Sequence, residues 1–284
     1  MNMSILALDI GGTAVKYGIF TSKEEYGQFS VLNTDGMEKL PEKIIEFILH
    51  HPTDRIGISA PGPFDFETGT SLMEHKLSSL YHVSLQKMIE KECPDTPFFF
   101  IHDSTAFILG AIQENKSLSK KNISGIMLGT GLGYVHCING KIEVNERKTP
   151  LHPLWNTPYK SSIAEHYVSA TAIIQKAKEK GYVYGGVKEL AEMARQGNKQ
   201  LLDVFFDTGT QLGELVNRIH TRDGFQKLII GGQVSKAWDL MQIGFEKTCS
   251  IMYDLVKNPI QCPLLGIKYC AEKGIKNIYK EISI

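Results

Sequence analysis

The sequence predicts an α/β protein of two similar lobes, and three observations carry that prediction. Residues 6–20 place an apolar run containing Asp9, the turn Gly11-Gly12-Thr13 and a second apolar run ending at Phe20 in immediate succession. The same layout returns about half a chain later: Ile123 to Leu128, the turn Gly129-Thr130-Gly131-Leu132-Gly133, then Tyr134 to Ile138. Around both copies, strand-like runs alternate with helical spacing, and no low-complexity or Pro/Ser-rich linker separates the halves. The expected division gives one lobe residues 1–103 with about 270–284, and the other 104–269. Two copies of a glycine turn, one per lobe, are expected to face each other across an inter-lobe cleft that holds the active site.

The elements follow in order. Strands are predicted near 4–8, 14–20, 26–33 and 55–58, and Leu40, Ile44, Ile45 and Ile48 give residues 39–50 a helical face. Ser59-Ala60-Pro61-Gly62-Pro63 stops the fourth strand in a rigid turn. A helix at 84–92 leads to a buried strand over 97–102, closed by Asp103-Ser104, and an apolar helix follows to about Ile112. The basic stretch up to Lys121 reads as a solvated loop rather than a nucleic-acid patch, and Asn139-Gly140 as a hairpin turn. Beyond Lys160 the spacing turns helical, over 161–180, 187–196 and 198–221. A strand at Lys227 to Ile230 enters Gly231-Gly232, a helix spans about 236–256, Pro263 to Lys268 reads as extended, and 270–281 forms a last helix.

Composition excludes several classes. Lys plus Arg and Asp plus Glu stand at 31 each, so no long-range field favours nucleic acid or an anionic membrane. Hydrophobic content of 42% allows a substantial core, yet no apolar run approaches the roughly 20 residues of a membrane helix. The five cysteines are scattered without a CxxC pair, which argues against a disulfide framework and a thiolate zinc site. With no signal-peptide pattern at the start, a cytoplasmic location is expected.

Chemistry concentrates at the turns. Adjacent glycines allow close backbone approach and can turn several N–H groups toward one anion. Gly11, Gly12 and Thr13 form the first candidate phosphate turn, Gly129, Thr130, Gly131 and Gly133 the second, with Thr13 and Thr130 adding hydroxyls. Gly231, Gly232 and Gln233 form a third, strand-to-helix turn, either a cover for adenine or a point of tight packing. Asp9 is placed to hold magnesium through water, and Lys16 either supports a phosphate or is an exposed strand residue. Asp103, between an apolar strand and an apolar helix, is either a general base for phosphoryl transfer to an alcohol or a helix N-cap.

Asp9-Ile-Gly-Gly-Thr13 with Lys16 and Gly18, Ile58-Ser-Ala-Pro61-Gly62-Pro63 with Asp65 and Gly69, the Asp103 segment, Leu128-Gly-Thr-Gly131 with Gly133, and Ile229-Ile-Gly-Gly with Val234-Ser235 together resemble the ROK family. This is the repressor/ORF/kinase group of sugar kinases, of the actin-like (actin–hexokinase–heat-shock ATPase, ribonuclease H-like) fold. The resemblance spans nearly the whole chain. It implies ATP- and magnesium-dependent phosphorylation of a hexose or hexose derivative, usually at the 6-hydroxyl, with Asp103 as general base. It also implies a sugar site at Pro61, Gly62, His102, Asp103, His152 and Glu165, and dimers are common in such proteins. Asp9 lies too near the start for a preceding helix-turn-helix domain, which favours kinase over regulator.

Two departures accompany the match. His102 stands where the family usually has asparagine before the aspartate, and an imidazole there can still hydrogen-bond a sugar hydroxyl or simply pack. The family's zinc knuckle has no counterpart, since no cysteine lies between Cys137 and Cys249, so no zinc is expected. An aromatic, proline-containing loop around Trp155 and Tyr159 is expected to replace it as scaffold. The substrate class stays open among glucose, amino sugars, other hexoses and β-glucosides. Alternative readings are a non-catalytic sugar- or nucleotide-sensing protein and, less favoured by the Asp103 segment, an actin-like polymer subunit.

Overall fold

The computed structural model describes residues 3–12, 14–30, 38–74, 77–183 and 185–280. In chain order the strands are β1 (Ile5–Ile10), β2 (Ala14–Phe20), β3 (Glu24–Ser30), β4 (Arg55–Ala60), the two-residue β5 (Phe64–Asp65) and β6 (Thr70–Ser71), and β7 (Phe98–His102). There follow β8 (Asn122–Leu128), β9 (Leu132–Ile138), β10 (Lys141–Glu143), β11 (Pro158–Tyr159), β12 (Ser162–Ile163), β13 (Lys227–Gly231), β14 (Tyr253–Leu255) and β15 (Tyr279–Lys280). The chain divides into two compact units, residues 1–119, 140–151 and 260–284, and residues 120–139 and 152–259.

The first unit is built on a sheet of order β3-β2-β1-β4-β7. β1 pairs antiparallel with β2 and parallel with β4, so every one of its residues is buried, as a central strand covered on both faces requires. Helix Leu40–His50 buries Leu40, Ile44, Ile45 and Ile48, the stripe its spacing predicts, in one core with Leu6, Leu8 and Ile58. Helices Asp103–Glu114 and Gln261–Lys273 pack backbone to backbone. A Cβ on Gly110 would lie 1.7 Å from the Cys262 carbonyl oxygen, and one on Gly266 would lie 1.8 Å from that of Ala106, so only glycine fits at either position. β10 and β15 pair in parallel.

In the second unit the strands run β14-β13-β8-β9, with β8 and β9 antiparallel and the other pairs parallel. Helices Ala170–Glu179, Val187–Arg195, Lys199–Asp223 and Trp238–Thr248 contribute to one core with β13, in which Phe205, Leu212, Met241 and Phe245 join Leu228 and Ile230. The longest helix, Lys199–Asp223, is capped at its start by the Asn198 side chain, which accepts from Leu201 N–H, and ends at Gly224 with φ of 62°. No helix among the described residues is long and apolar enough to cross a membrane.

Several expectations need correction. The boundaries at 103/104 and 269/270 are displaced: residues 104–119, 140–151 and 260–269 belong to the first unit. The cause is the Gly110–Gly266 helix pairing, which ties Asp103–Glu114 and Gln261–Lys273 together. Pro263 does not mark an extended segment. It lies in the first turn of helix Gln261–Lys273, where a missing N–H costs nothing. The helix expected over 236–256 spans only Trp238–Thr248, since residues 253–255 add β14 to the sheet beside β13. Residues 161–180 break into β12, a short helix Glu165–Val168 and helix Ala170–Glu179, which the Ser169 hydroxyl caps.

Candidate active site

In the first unit, strand register assembles a buried charge cluster. Asp9 lies opposite Lys16 on β2 and opposite Ser59 on β4. The Lys16 ammonium donates to Asp9 Oδ2 at 2.8 Å, and the Ser59 hydroxyl donates to Oδ1 at 2.7 Å. Asp9 is only 4% exposed. Its negative charge raises the Lys16 pKa above the ordinary lysine value against the opposing effect of burial, with a smaller contribution from Asp103. Lys16 is thus a partner of Asp9 rather than an exposed strand residue. Ser59 escapes a sequence reading that treats it as part of a strand end, although a lone hydroxyl in the run Ile56-Gly-Ile-Ser59-Ala60 is the signal. Of the first turn, Gly11 donates its N–H within the turn to the Ala14 carbonyl, Gly12 is exposed, and Thr13 lies outside the described residues.

At the end of β7, the chain passes directly into helix Asp103–Glu114. The N-cap is His102, and Asp103 is the first helical residue rather than the cap. Asp103 Oδ1 accepts the Ser104 N–H at 2.6 Å and its hydroxyl at 3.2 Å, and His102 Nδ1 lies 2.9 Å from the same oxygen. Burial pushes the Asp103 pKa up, but the His102 ring and the Ser104 donors outweigh it, and the pKa lies below the usual carboxylate value. The group is therefore ionised at neutral pH. The Pro61-Gly62 turn approaches the same ring, since a Cβ on Gly62 would lie 3.3 Å from His102 Nε2.

The second unit places Glu165 against the β8–β9 turn. Its Oε2 accepts the Leu132 N–H at 2.8 Å, and a Cβ on Gly131 would fall 2.3 Å from that oxygen. Gly129 donates its N–H within the turn to the Gly131 carbonyl. The start of helix Ala170–Glu179 fixes the turn from the other side: Ala170 N–H donates to Gly129 O, and the Thr171 hydroxyl donates to Thr130 O at 3.0 Å. Gly133 pairs with Met127 on β8, and Thr130 is exposed. Glu165 joins the turn across 33 residues of sequence, a link that spacing alone does not reveal.

Other expected residues are distributed differently. Gly232 has φ of 84°, and a Cβ there would lie 2.3 Å from the Leu128 carbonyl oxygen, so tight packing on β8 accounts for this glycine. Gly231 closes β13, and Gln233 is exposed at the start of a 3-10 turn. His152 is exposed with φ of 56°. The loop beyond it is anchored by Tyr159, 1% exposed, whose hydroxyl donates to Glu214 and whose ring meets Tyr167 edge-on at 5.0 Å. Trp155, by contrast, is 46% exposed. Among the described residues, no group of three or more His, Cys, Asp or Glu side chains could hold a metal ion.

A family model described as "ROK family" matches residues 5–146, half of the chain. The chain belongs to the ROK family. Its curated relatives include a beta-glucoside kinase of Klebsiella pneumoniae, 27% identical over 135 residues that make up 46% of this chain and 45% of that protein. An N-acetyl-D-glucosamine kinase of Photobacterium profundum is 27% identical over 132 residues, 44% of this chain and 43% of that protein. In both, the match spans less than half of the relative's length. Among solved structures, a ROK family glucokinase from Streptomyces griseus in complex with glucose and AMPPNP superposes with a TM-score of 0.80 at 19% identity, over 95% of this chain and 100% of that one. A ROK family transcriptional regulator, a homolog of the E. coli MLC protein, gives 0.74 at 17% identity, over 93% and 78%. The fold is the actin-like ATPase fold of the ROK hexokinases.

Proposed function

We propose that this ROK chain is a sugar kinase that transfers the γ-phosphoryl group of ATP to the 6-hydroxyl of a hexose or hexose derivative. The observation that carries the reading is the Asp103 carboxylate. All of its hydrogen bonds described above fall on Oδ1, so Oδ2 is the oxygen turned to a substrate hydroxyl. In the reaction, the sugar oxygen bonds to the γ-phosphorus as the bond to the bridging oxygen of ADP breaks, and the hydroxyl proton passes to Asp103 Oδ2. A loose transition state makes little demand on base strength, so a carboxylate of lowered pKa suffices.

Pro61, Gly62, His152 and Glu165 are the proposed sugar-side residues, with His102 beside Asp103 at their edge, and the turns at Gly11–Thr13, Gly129–Gly133 and Gly231–Gln233 the nucleotide-side ones. Gly232 counts there through the shape it gives the turn. Lys16 brings positive charge toward the phosphates. Asp9 fits an outer-sphere role toward magnesium. Each of its oxygens takes one bond from Lys16 or Ser59 and keeps a lone pair for a metal-bound water. Magnesium would supply charge neutralisation on the phosphates.

The test is a panel of hexoses, amino sugars and β-glucosides offered with MgATP to the purified protein, alongside Asp103→Asn. Turnover of at least one sugar, lost in the variant, is the expected result, and absence of turnover across the panel overturns the reading. The likeness to a transcriptional regulator favours one second reading, a sensing protein that binds sugar or nucleotide without turnover. On that reading, Asp103→Asn changes no rate because the wild type has none.

A further inference from the structure

We propose that His102 is a positioning residue for Asp103, acting through Nδ1; this deepens the kinase reading and rests on it. β7 delivers the two residues consecutively, the first extended (φ −67°, ψ 142°) and the second helical, and the imidazole folds back onto the carboxylate that follows it. Nδ1 lies 2.9 Å from Asp103 Oδ1. One N–H, that of Ser104, lies within reach of both groups, at 3.2 Å from Nδ1 and 2.6 Å from Oδ1. The shorter contact takes the proton, because a bond to an anionic carboxylate is stronger than one to a ring nitrogen. Nδ1 is then free of a donor and carries its own hydrogen, which it gives to Oδ1.

The remainder of the ring is held in place. Gly62 approaches its Nε2 edge, with room for a Cβ no nearer than 3.3 Å, and Phe66 packs on it with centroids 5.7 Å apart. The imidazole side chain is 14% exposed. Bordered in this way, the ring faces Oδ1 with Nδ1 and is largely covered on its other side. It can hold Oδ1, together with the two Ser104 donors, and so fix the direction in which Oδ2 points. Geometry of this kind is where a base gains its efficiency, since a misplacement of about 1 Å can cost on the order of 100-fold in rate. The ring moves no proton in the reaction. Its role is the reverse of the familiar one in which an aspartate orients a histidine.

Two substitutions separate this role from a sugar contact. In His102→Asn the amide nitrogen can stand at the place of Nδ1, whereas in His102→Gln it reaches the place of Nε2. The expected result is that Asn keeps kcat within about threefold, while Gln and Ala lower it about 10-fold or more with the sugar KM little changed. The proposal is overturned if Gln keeps activity while Asn raises the sugar KM at unchanged kcat, the pattern of a ligand working through Nε2. A wild type that phosphorylates no sugar sinks the kinase reading instead. The proposal then still faces nitrogen-15 NMR of the labelled protein. A hydrogen on His102 Nδ1, with signals that move in Asp103→Asn, supports the pairing, and protonation at Nε2 alone overturns it.

Discussion

At the β1–β2 turn the carboxylate stands on the strand itself, and at the β8–β9 turn it is brought in from elsewhere. Asp9 is the second-last residue of β1 and faces Lys16; the second-last residue of β8 is Met127, which faces Gly133. In both hairpins the first glycine donates its N–H forward, Gly11 to the Ala14 carbonyl at the start of β2 and Gly129 to the Gly131 carbonyl inside the turn. They differ in charge. The first turn carries a balanced pair, Asp9 with Lys16, braced by Ser59. The second has no lysine in that register and holds the Glu165 carboxylate against Gly131 and the Leu132 N–H. The two hairpins thus differ in electrostatic setting, a lysine–aspartate pair at the first and a carboxylate held by a backbone N–H at the second. The second turn instead ties a proposed sugar-side residue to a proposed phosphate-side backbone.

The largest effect expected lies in the first unit. Asp103→Asn removes the proposed base and is expected to lower kcat by about 100- to 10,000-fold while ATP binding, read by calorimetry, is retained. No equivalent loss is expected in the second unit: Glu165→Gln keeps an acceptor for Leu132 N–H and is expected to act mainly on the sugar KM. Equal losses of kcat in both variants would erase the distinction between the two turns.

Stability separates them next. Asp9→Leu leaves the Lys16 ammonium without its carboxylate in a largely buried position, and a loss of about 3 kcal/mol is expected in urea unfolding. Adding Lys16→Met is expected to recover most of that loss, since the cost lies in the unpaired charge. For Glu165→Gln the expected loss is under about 1 kcal/mol.

How far the sequence reveals these two settings depends on the separation of the partners. Asp9 and Lys16 are seven residues apart on consecutive strands, so hairpin register is enough to pair them. Asp103 is legible because it stands between a strand and a helix of opposite periodicity. The contacts of Ser59 with Asp9 and of Glu165 with the second turn are not legible in the same way, since they depend on parallel pairing across 50 residues and on a loop return across 33. The unit boundary is missed for a related reason. Gly110 and Gly266 read as ordinary residues until two distant helices are seen to touch at them. Pro263 misleads because a helix tolerates proline in its first turn, where nothing in the local pattern announces a start.

The last two comparisons are a pH difference and a side-chain displacement, and the first contrasts the two units through their largely buried lysines. Lys16 has a carboxylate and a raised pKa; Lys176 donates to Tyr167 O, Thr208 Oγ1 and Gln211 Oε1, all uncharged, and burial pushes its pKa down to about 8. For Lys16 the stabilisation is fully present below the ordinary lysine pKa and is lost only as pH rises through its higher folded value. For Lys176 the sign is opposite. Between about pH 8 and 10.5 the unfolded chain binds the proton that the folded protein has released, so this group's penalty fades as pH rises. Urea unfolding of the wild type and of Lys176→Gln should therefore converge as pH is raised from about 7 to about 9.5, and a constant difference would contradict the lowered pKa.

Gly131→Ala completes the comparison at the turn itself. The new methyl would meet the end of the flexible Glu165 side chain, not backbone, so the fold should absorb it. The Glu165–Leu132 bond should not survive, and a loss of about 1 kcal/mol of that interaction is expected. Gly12→Ala is the control, because a Cβ there meets nothing within 4 Å. If the second turn is coupled to the sugar side through Glu165, Gly131→Ala raises the sugar KM several-fold and Gly12→Ala leaves it unchanged. A sugar KM that moves equally in both variants would mean that Glu165 only caps the turn, and that the two hairpins differ in charge without differing in what they connect.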